Sequence, residues 1–258
     1  MQESWLREFV ADWELSGKSP QTVREYVRYI KNLNSHYQNP TLTDVKEWLQ
    51  RSPGSSVRRK KAQSVRALGK WCDGAGIDEF GWWRQVPLST ETATPQETVT
   101  PAIYQQVLTR CETLRDRALV EVLWSTGLRR AEIFRLAIEH VDFVNGYVVV
   151  ATSKSKKPRV VPTSPTALRA IRKLIGRRTD GNVFEMSGNA IRLRLVRIGA
   201  PSAHAWRRGW AVNSLRHGVS EASVRAAAGW TSSAMVSRYT QTLAADLAID
   251  EFNGIWHR

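Results

Sequence analysis

Between Leu88 and Thr100 the chain reads LSTETATPQETVT, a stretch rich in Thr and Glu with one Pro and no hydrophobic period. Neither a helical stripe nor a strand alternation fits it, so it reads as a linker. A chain of 258 residues interrupted at 89–100 holds two modest domains, 1–88 and 101–258, each long enough to bury a core. Apolar residues at 42% and charged residues at 24% exclude a disordered or collagenous chain. Apolar runs such as Tyr147 to Ala151 are far short of the roughly 20 residues that span a bilayer. The opening MQESWLREFVADWEL lacks the basic patch and apolar run of a secretory signal, so a cytoplasmic location with no membrane partner is expected.

The first domain reads as four helices. Trp5, Leu6, Phe9, Val10 and Trp13 share one face of a helix over 4–15. Ser19-Pro20 opens a second, carrying Val23, Tyr26, Val27, Ile30, Leu33 and Tyr37. Thr43 begins a third with Val45, Trp48 and Leu49, and a fourth follows Pro53-Gly54. On the fourth, Val57, Val65, Leu68 and Cys72 line one side, while Arg59, Arg66 and Lys70 fall on another. Such a basic stripe is either a solvated face of the bundle or a surface for an anion.

The second domain mixes elements. Thr100-Pro101 opens a helix, 115–125 forms another with Gly127 as its stop, and a short helix over 128–137 follows. Tyr147–Ala151 and Arg159–Pro162 then bracket a loop at 152–158, as in a hairpin, and the remainder is helical. The fold class is therefore mainly α with a small antiparallel β-sheet.

Charge points to the partner. The 38 Lys plus Arg outweigh 24 Asp plus Glu, for a net charge of +14. Residues 101–258 hold 24 of the basic and 12 of the acidic groups. Such an excess concentrates a polyanion and strengthens phosphate contacts by counterion release. Cys72 and Cys111 stand far apart with no metal-ligand spacing, so both read as small core residues. His140-Val-Asp142 reads as a helix end rather than a metal site, and no GxxxxGK[ST] phosphate loop occurs. No metal or nucleotide cofactor is expected.

Several motifs carry chemistry. In Ser125-Thr-Gly-Leu-Arg129-Arg-Ala-Glu132 an arginine stands at a helix entrance with a carboxylate three residues on. Its planar fork can take two phosphate oxygens while Glu132 braces it. His204-Ala-Trp-Arg207 sets an imidazole and a second guanidinium on one helix face. Gly229-Trp230 lies 26 residues beyond His204, counting to Trp230, and Tyr239 follows nine residues after that in Ser-Arg-Tyr-Thr. Arg129, a hairpin lysine, His204, Arg207, Trp230 and Tyr239, in this order, resemble the tyrosine recombinase (phage integrase) family.

The resemblance covers nearly the whole chain. It implies a helical, SAM-like core-binding domain at 1–88 and a mixed α+β catalytic domain at 101–258, together clamping duplex DNA. It also implies that Tyr239 attacks a phosphodiester to leave a 3′-phosphotyrosyl bond, with Arg129, Arg207, His204 and Trp230 around the phosphate. Lys154 in TSKSKKPRVVP aligns with the family's acid for the departing 5′-oxygen, with Lys156 and Lys157 as rivals and DNA contacts. Many members carry His at the Trp230 position; an indole N–H donates a hydrogen bond but cannot act as a base.

Partners implied are double-stranded DNA core or attachment sites, a homotetramer on synapsed DNA, and an accessory directionality or DNA-bending factor. Arg59, Arg66 and Lys70 are candidate DNA contacts, to phosphate more than to bases. The apolar tail at Leu243, Leu247, Ile249, Phe252, Ile255 and Trp256 docks either on its own domain or on a neighbouring protomer. With about 88 residues before the linker, the chain looks like a compact phage-type integrase without an arm-binding domain. A chromosome-dimer resolvase of the Xer kind and a noncatalytic DNA-binding protein of the same fold are the alternatives.

Overall fold

A computed structural model describes residues 3–88, 97–151, 158–232 and Phe252. It divides into two compact units, Met1–Thr94 and Pro95–Arg258, with the boundary inside the segment read as a linker. Lys154, Lys156, Lys157 and Tyr239 lie outside the described residues, as does the tail from Leu243 apart from Phe252.

The first unit contains α1 (Glu3–Leu15), α2 (Pro20–His36), α3 (Leu42–Gln50) and α4 (Ser55–Gly74), followed by a 3-10 helix over Asp78–Gln85. Ser19 caps α2, its Oγ accepting the Thr22 N–H at 3.2 Å, and Pro20 costs nothing in the first turn. The third helix starts earlier than Thr43. Thr41 and Asp44 form a reciprocal capping box, in which the Asp44 carboxylate accepts the Thr41 N–H at 2.8 Å. Phe9, Ile30, Leu68 and Cys72 form one apolar cluster; Leu33, Val45, Trp48, Leu49 and Val65 form a second.

The 3-10 helix was not foreshadowed by any period. It seats the Trp83 side chain against Gly69, where an added Cβ would come within 2.3 Å of Trp83 Cβ. Trp83 Nε1 donates to Asp73 at 2.9 Å. Of the basic stripe on α4, Lys70 is exposed, while Arg59 and Arg66 are half-buried; the Arg66 guanidinium lies 5.9 Å from the Trp83 ring centre.

The second unit runs α5 (Pro101–Leu108), α6 (Leu114–Thr126), α7 (Arg130–Phe134), a 3-10 turn at Ile138–His140, β1 (Val141–Asp142), β2 (Tyr147–Val150), β3 (Arg159–Pro162), α8 (Pro165–Ile175), α9 (Gly188–Arg197), α10 (Ala203–Arg216) and α11 (Glu221–Ala228). Helix α6 is the centre: Ala118 to Leu123 are all buried, and α8 and α10 pack on it. That all-round burial is why the sequence shows no apolar stripe there.

The sheet is antiparallel in the order β1-β2-β3. Val148 faces both Val141 and Val161, and all three are buried; β1 is the strand that alternation did not reveal, being only two residues long. The helix expected over 128–137 is shorter, because the chain is drawn into non-local pairing. The Ile138 N–H donates to the Gly181 carbonyl at 2.9 Å, and the Val183 N–H donates to Leu136 at 2.8 Å.

Residues 97–100, read as the end of the linker, pack on α10. Val99 is buried, its N–H reaches the Ala205 carbonyl at 3.3 Å, and Arg208 Nε donates to the Glu97 carbonyl at 2.8 Å. Gly209 admits this approach: a Cβ there would lie 2.2 Å from the Val99 oxygen. Cys72 is fully buried and Cys111 packs partly against the core. Among the described residues no helix is long and apolar enough to cross a membrane, and no cluster of three or more metal-ligating side chains occurs.

Candidate functional site

Arg207 stands at the junction of three motifs. Helix α10 begins at a Ser202 cap, whose Oγ accepts the Ala205 N–H, and one turn later presents Arg207 inward at 2% exposure. A buried guanidinium needs its donors satisfied. Nη1 donates to the Gly127 carbonyl at 2.7 Å and Nη2 donates to the Ala228 carbonyl. Its Cζ lies 5.0 Å from the centre of the Trp230 ring. Thus TGLRRAE, HAWRR and GW, far apart in sequence, converge on one side chain.

Two glycines make the convergence sterically feasible. Gly127 ends α6 in the left-handed region at φ 56°, and a Cβ on it would fall 2.6 Å from the Trp210 ring. Gly229 ends α11 at φ 66°, where a Cβ would meet Arg159 Cδ at 3.0 Å. Only glycine combines that backbone with that proximity.

Arg129 is the N-cap of α7 rather than a residue of its first turn. Glu132 accepts from it twice, Oε2 from the Arg129 backbone N–H and Oε1 from Nη1, both at 2.8 Å. The bracing expected of Glu132 is present, and it is shared: Arg159 Nη2 also donates to Oε2 at 2.8 Å. Burial pushes the Glu132 carboxyl up, but the hydrogen bonds from Arg159 and Arg129 and the charge of Arg159 outweigh it and hold the group below its ordinary value. It is a carboxylate at neutral pH. The Arg129 side chain remains 41% exposed, so the guanidinium is fixed at its inner edge and open at its outer one.

His204 opens α10 one turn before Arg207. The residue as a whole is exposed, yet desolvation, then the charges of Arg208, Arg207 and Arg129, lower its pKa from 6.5. A neutral imidazole among guanidinium groups is a hydrogen-bond donor at one nitrogen and an acceptor at the other. Trp230 is buried at 7% exposure within a small cluster with Trp210, Ala211, Val224 and Ala228.

Arg159 was missed as a site residue. Besides Glu132 it reaches the Ala227 carbonyl, Nε donating at 2.7 Å, and its side chain is only 11% exposed. The signal was in the strand pattern: in Arg159-Val-Val-Pro162 the alternation puts Arg159 on the face of buried Val161, and an arginine facing a core requires a partner. Arg208, which holds Glu97 and biases His204, was also missed. Nothing near it in sequence announces either contact.

The structure therefore brings Arg129, Glu132, Arg207 and Trp230 together through Arg207 and Arg159, with His204 one turn before Arg207 on α10. Arg59, Arg66 and Lys70 belong to the first unit.

The family model described as the phage integrase family matches residues 96–245, more than half the chain. The tyrosine recombinase XerA of Pyrococcus horikoshii is 28% identical over 181 residues, covering 69% of this chain and 62% of its own. XerA of Pyrococcus furiosus is 30% identical over 184 residues, covering 69% and 63%. The chain thus matches a little over three fifths of the length of these relatives. In three dimensions it is similar to a lambda integrase dimer bound to a COC′ core site, with a TM-score of 0.76 at 15% identity over 92% of this chain and 76% of that one, which speaks for a shared fold. On the family match, this chain belongs to the phage integrase family.

Proposed function

We propose that the protein is a site-specific DNA recombinase, an integrase that cuts and rejoins duplex DNA at core or attachment sites of phage or mobile-element DNA. The observation that carries the reading is the convergence on Arg207, which gathers motifs spread over a hundred residues into an anchored cationic group. The relatives named tyrosine recombinase support the same chemistry.

Attack on a phosphodiester adds negative charge to its nonbridging oxygens, so preoriented donors lower the barrier most. Arg129 and Arg207 supply them and stay charged at any working pH. His204 and Trp230 contribute neutral N–H donors beside them. The Tyr239 oxygen attacks phosphorus, the P–O5′ bond breaks, and the 5′-oxygen takes a proton from Lys154 as it leaves. A phenol with a reference pKa near 10 needs local help to ionise; the arginine charges and His204 give it. The 3′-phosphotyrosyl ester keeps the bond energy, so a 5′-hydroxyl of another strand reverses the attack and reseals the backbone without ATP or metal.

In this reading residues 1–88 bind the core site, with Arg59, Arg66 and Lys70 on phosphates together with Lys156 and Lys157, and residues 101–258 catalyse. Four copies act on synapsed DNA, aided by a directionality or bending factor, in the cytoplasm where that DNA lies. Similarity to XerA favours a second reading, an Xer-like resolvase acting between like sites of one circle.

The test is a nicked core-site duplex that traps the intermediate. The wild type is expected to give a protein-DNA adduct that survives denaturant, forms in EDTA and is absent in Tyr239→Phe. Retardation of the duplex with no covalent product would leave a DNA-binding protein of the same fold. Exchange between unlike sites, against resolution of a dimeric plasmid carrying like sites, separates the integrase from the resolvase.

A further inference from the structure

Two arginines of different origin end on neighbouring carbonyls. Arg159, from β3, donates Nε to Ala227, and Arg207, from α10, donates Nη2 to Ala228. These are the last two residues of α11, whose carbonyls have no partner within the helix and carry its negative dipole end. Arg159 Nη2 meets Glu132 Oε2 at 2.8 Å. Arg159 is therefore one rigid plane with a carbonyl on Nε and a carboxylate on Nη2, largely out of water at 11% exposure.

Each of these two contacts leads to a residue of the proposed site. Glu132 hands its second oxygen to Arg129 Nη1. Ala227 lies three residues before Trp230, and the Gly229 turn between them approaches Arg159 so closely that a Cβ would touch its Cδ. Arg159 is the first residue of its strand and stands five positions after Lys154 in the sequence. Arg129 engages both Glu132 oxygens, through its N–H and its Nη1; Arg159 adds a further donor on Oε2 and so ties the carboxylate that braces Arg129 to β3 as well as to α7.

We infer that Arg159 is a positioning residue for the proposed strand-cleavage reaction, locking the Arg129 fork through Glu132 and the Trp230 turn through Ala227 without itself touching the phosphate. This rests on the recombinase reading, and its test has one arm that does not need DNA.

The DNA-free arm follows the guanidinium N–H groups of Arg129 by proton-nitrogen NMR, assigned by their loss in Arg129→Lys. A fixed fork gives separate Nη signals. They are expected to persist in Arg159→Lys, which keeps the Glu132 contact, and to merge in Arg159→Met. The second arm measures single-turnover adduct formation on the nicked core duplex and, separately, duplex affinity. Arg159→Met is expected to lose about 100-fold in rate, the scale of an ångström-sized misplacement, with affinity within about threefold and Arg159→Lys restoring most of the rate.

Unchanged Arg129 signals in Arg159→Met would overturn the inference, whatever the rate. So would merged signals with an undiminished rate, or a rate loss that Arg159→Lys, folded to the same melting temperature as wild type, fails to relieve. Absence of any adduct from the wild type would instead overturn the recombinase reading, while the NMR arm still decides whether Arg159 holds Arg129.

Discussion

The Arg207 guanidinium lies 5.0 Å from the centre of the Trp230 ring, with its Nη2 donating to the carbonyl two residues before that tryptophan. The side chain and the turn that carries the indole therefore fix one another. Trp230→Phe keeps the aromatic face for the cation but removes the N–H donor. Its adduct formation is expected to fall about 100-fold, as for loss of one oxyanion donor, with a melting temperature close to wild type. Trp230→His, which restores a ring N–H, is expected to recover much of that rate. Rate measurements on the nicked duplex beside thermal melts check both.

Glu132 ties together an N-cap and a strand, and this shows in acid. Its pKa is held below the ordinary 4.5, so the folded state binds its proton less readily than the unfolded state. The stability it contributes is complete above pH 4.5 and is lost as pH falls through the lower, folded value. Glu132→Gln strands two guanidinium groups and is expected to cost about 3 kcal/mol at pH 7. The difference from wild type should shrink as pH drops below 4.5. Denaturant titrations at pH 7, 5 and 3 decide it; a constant difference would refute the assignment.

His204 titrates below 6.5, from desolvation first and then the charges of Arg208, Arg207 and Arg129. Since the unfolded chain takes up this proton more readily, acidification through 6.5 should favour unfolding. Arg208→Met removes the leading charge and is expected to move the imidazole midpoint upward, towards 6.5. The NMR titration of its ring signals checks the direction, and the acid limb of the adduct-formation rate is expected to shift with it.

Gly127 meets two demands at once: φ of 56° and a Trp210 ring 2.6 Å from where a Cβ would stand. Gly127→Ala is expected to cost about 3 kcal/mol, from the left-handed backbone and overpacking together. Its carbonyl would also shift away from Arg207. The denaturant midpoint reports the first effect. A fall in adduct formation under conditions where the variant is fully folded reports the second.

Much of this molecule was legible before any coordinates. Helices with one apolar face announce themselves, and Ser19-Pro20, Thr100-Pro101 and Gly127 mark ends because backbone donors and carbonyls there need specific chemistry. The hairpin strands were legible from β-branched runs. What escaped depends on contacts distant in sequence. The 128–137 helix is cut short by pairing with residues 181–183. Residues 97–99 look like linker because their partners, Ala205 and Arg208, lie more than a hundred residues away. Within the site, the motifs named Arg129, His204, Arg207 and Trp230, but Arg159 hid in a four-residue strand. Its importance comes from a carboxylate and a helix end that only the fold delivers.

The end of α11 offers its last two carbonyls to Arg159 and Arg207, and a dipole restrains a cation without cancelling it. The peptide oxygens of that helix end hold both guanidinium groups by direction, through hydrogen bonds to fixed carbonyls. Glu132, by contrast, sets a single negative charge between two guanidinium groups. The orientation of these side chains is thus built by the fold itself, from one helix end and one shared carboxylate.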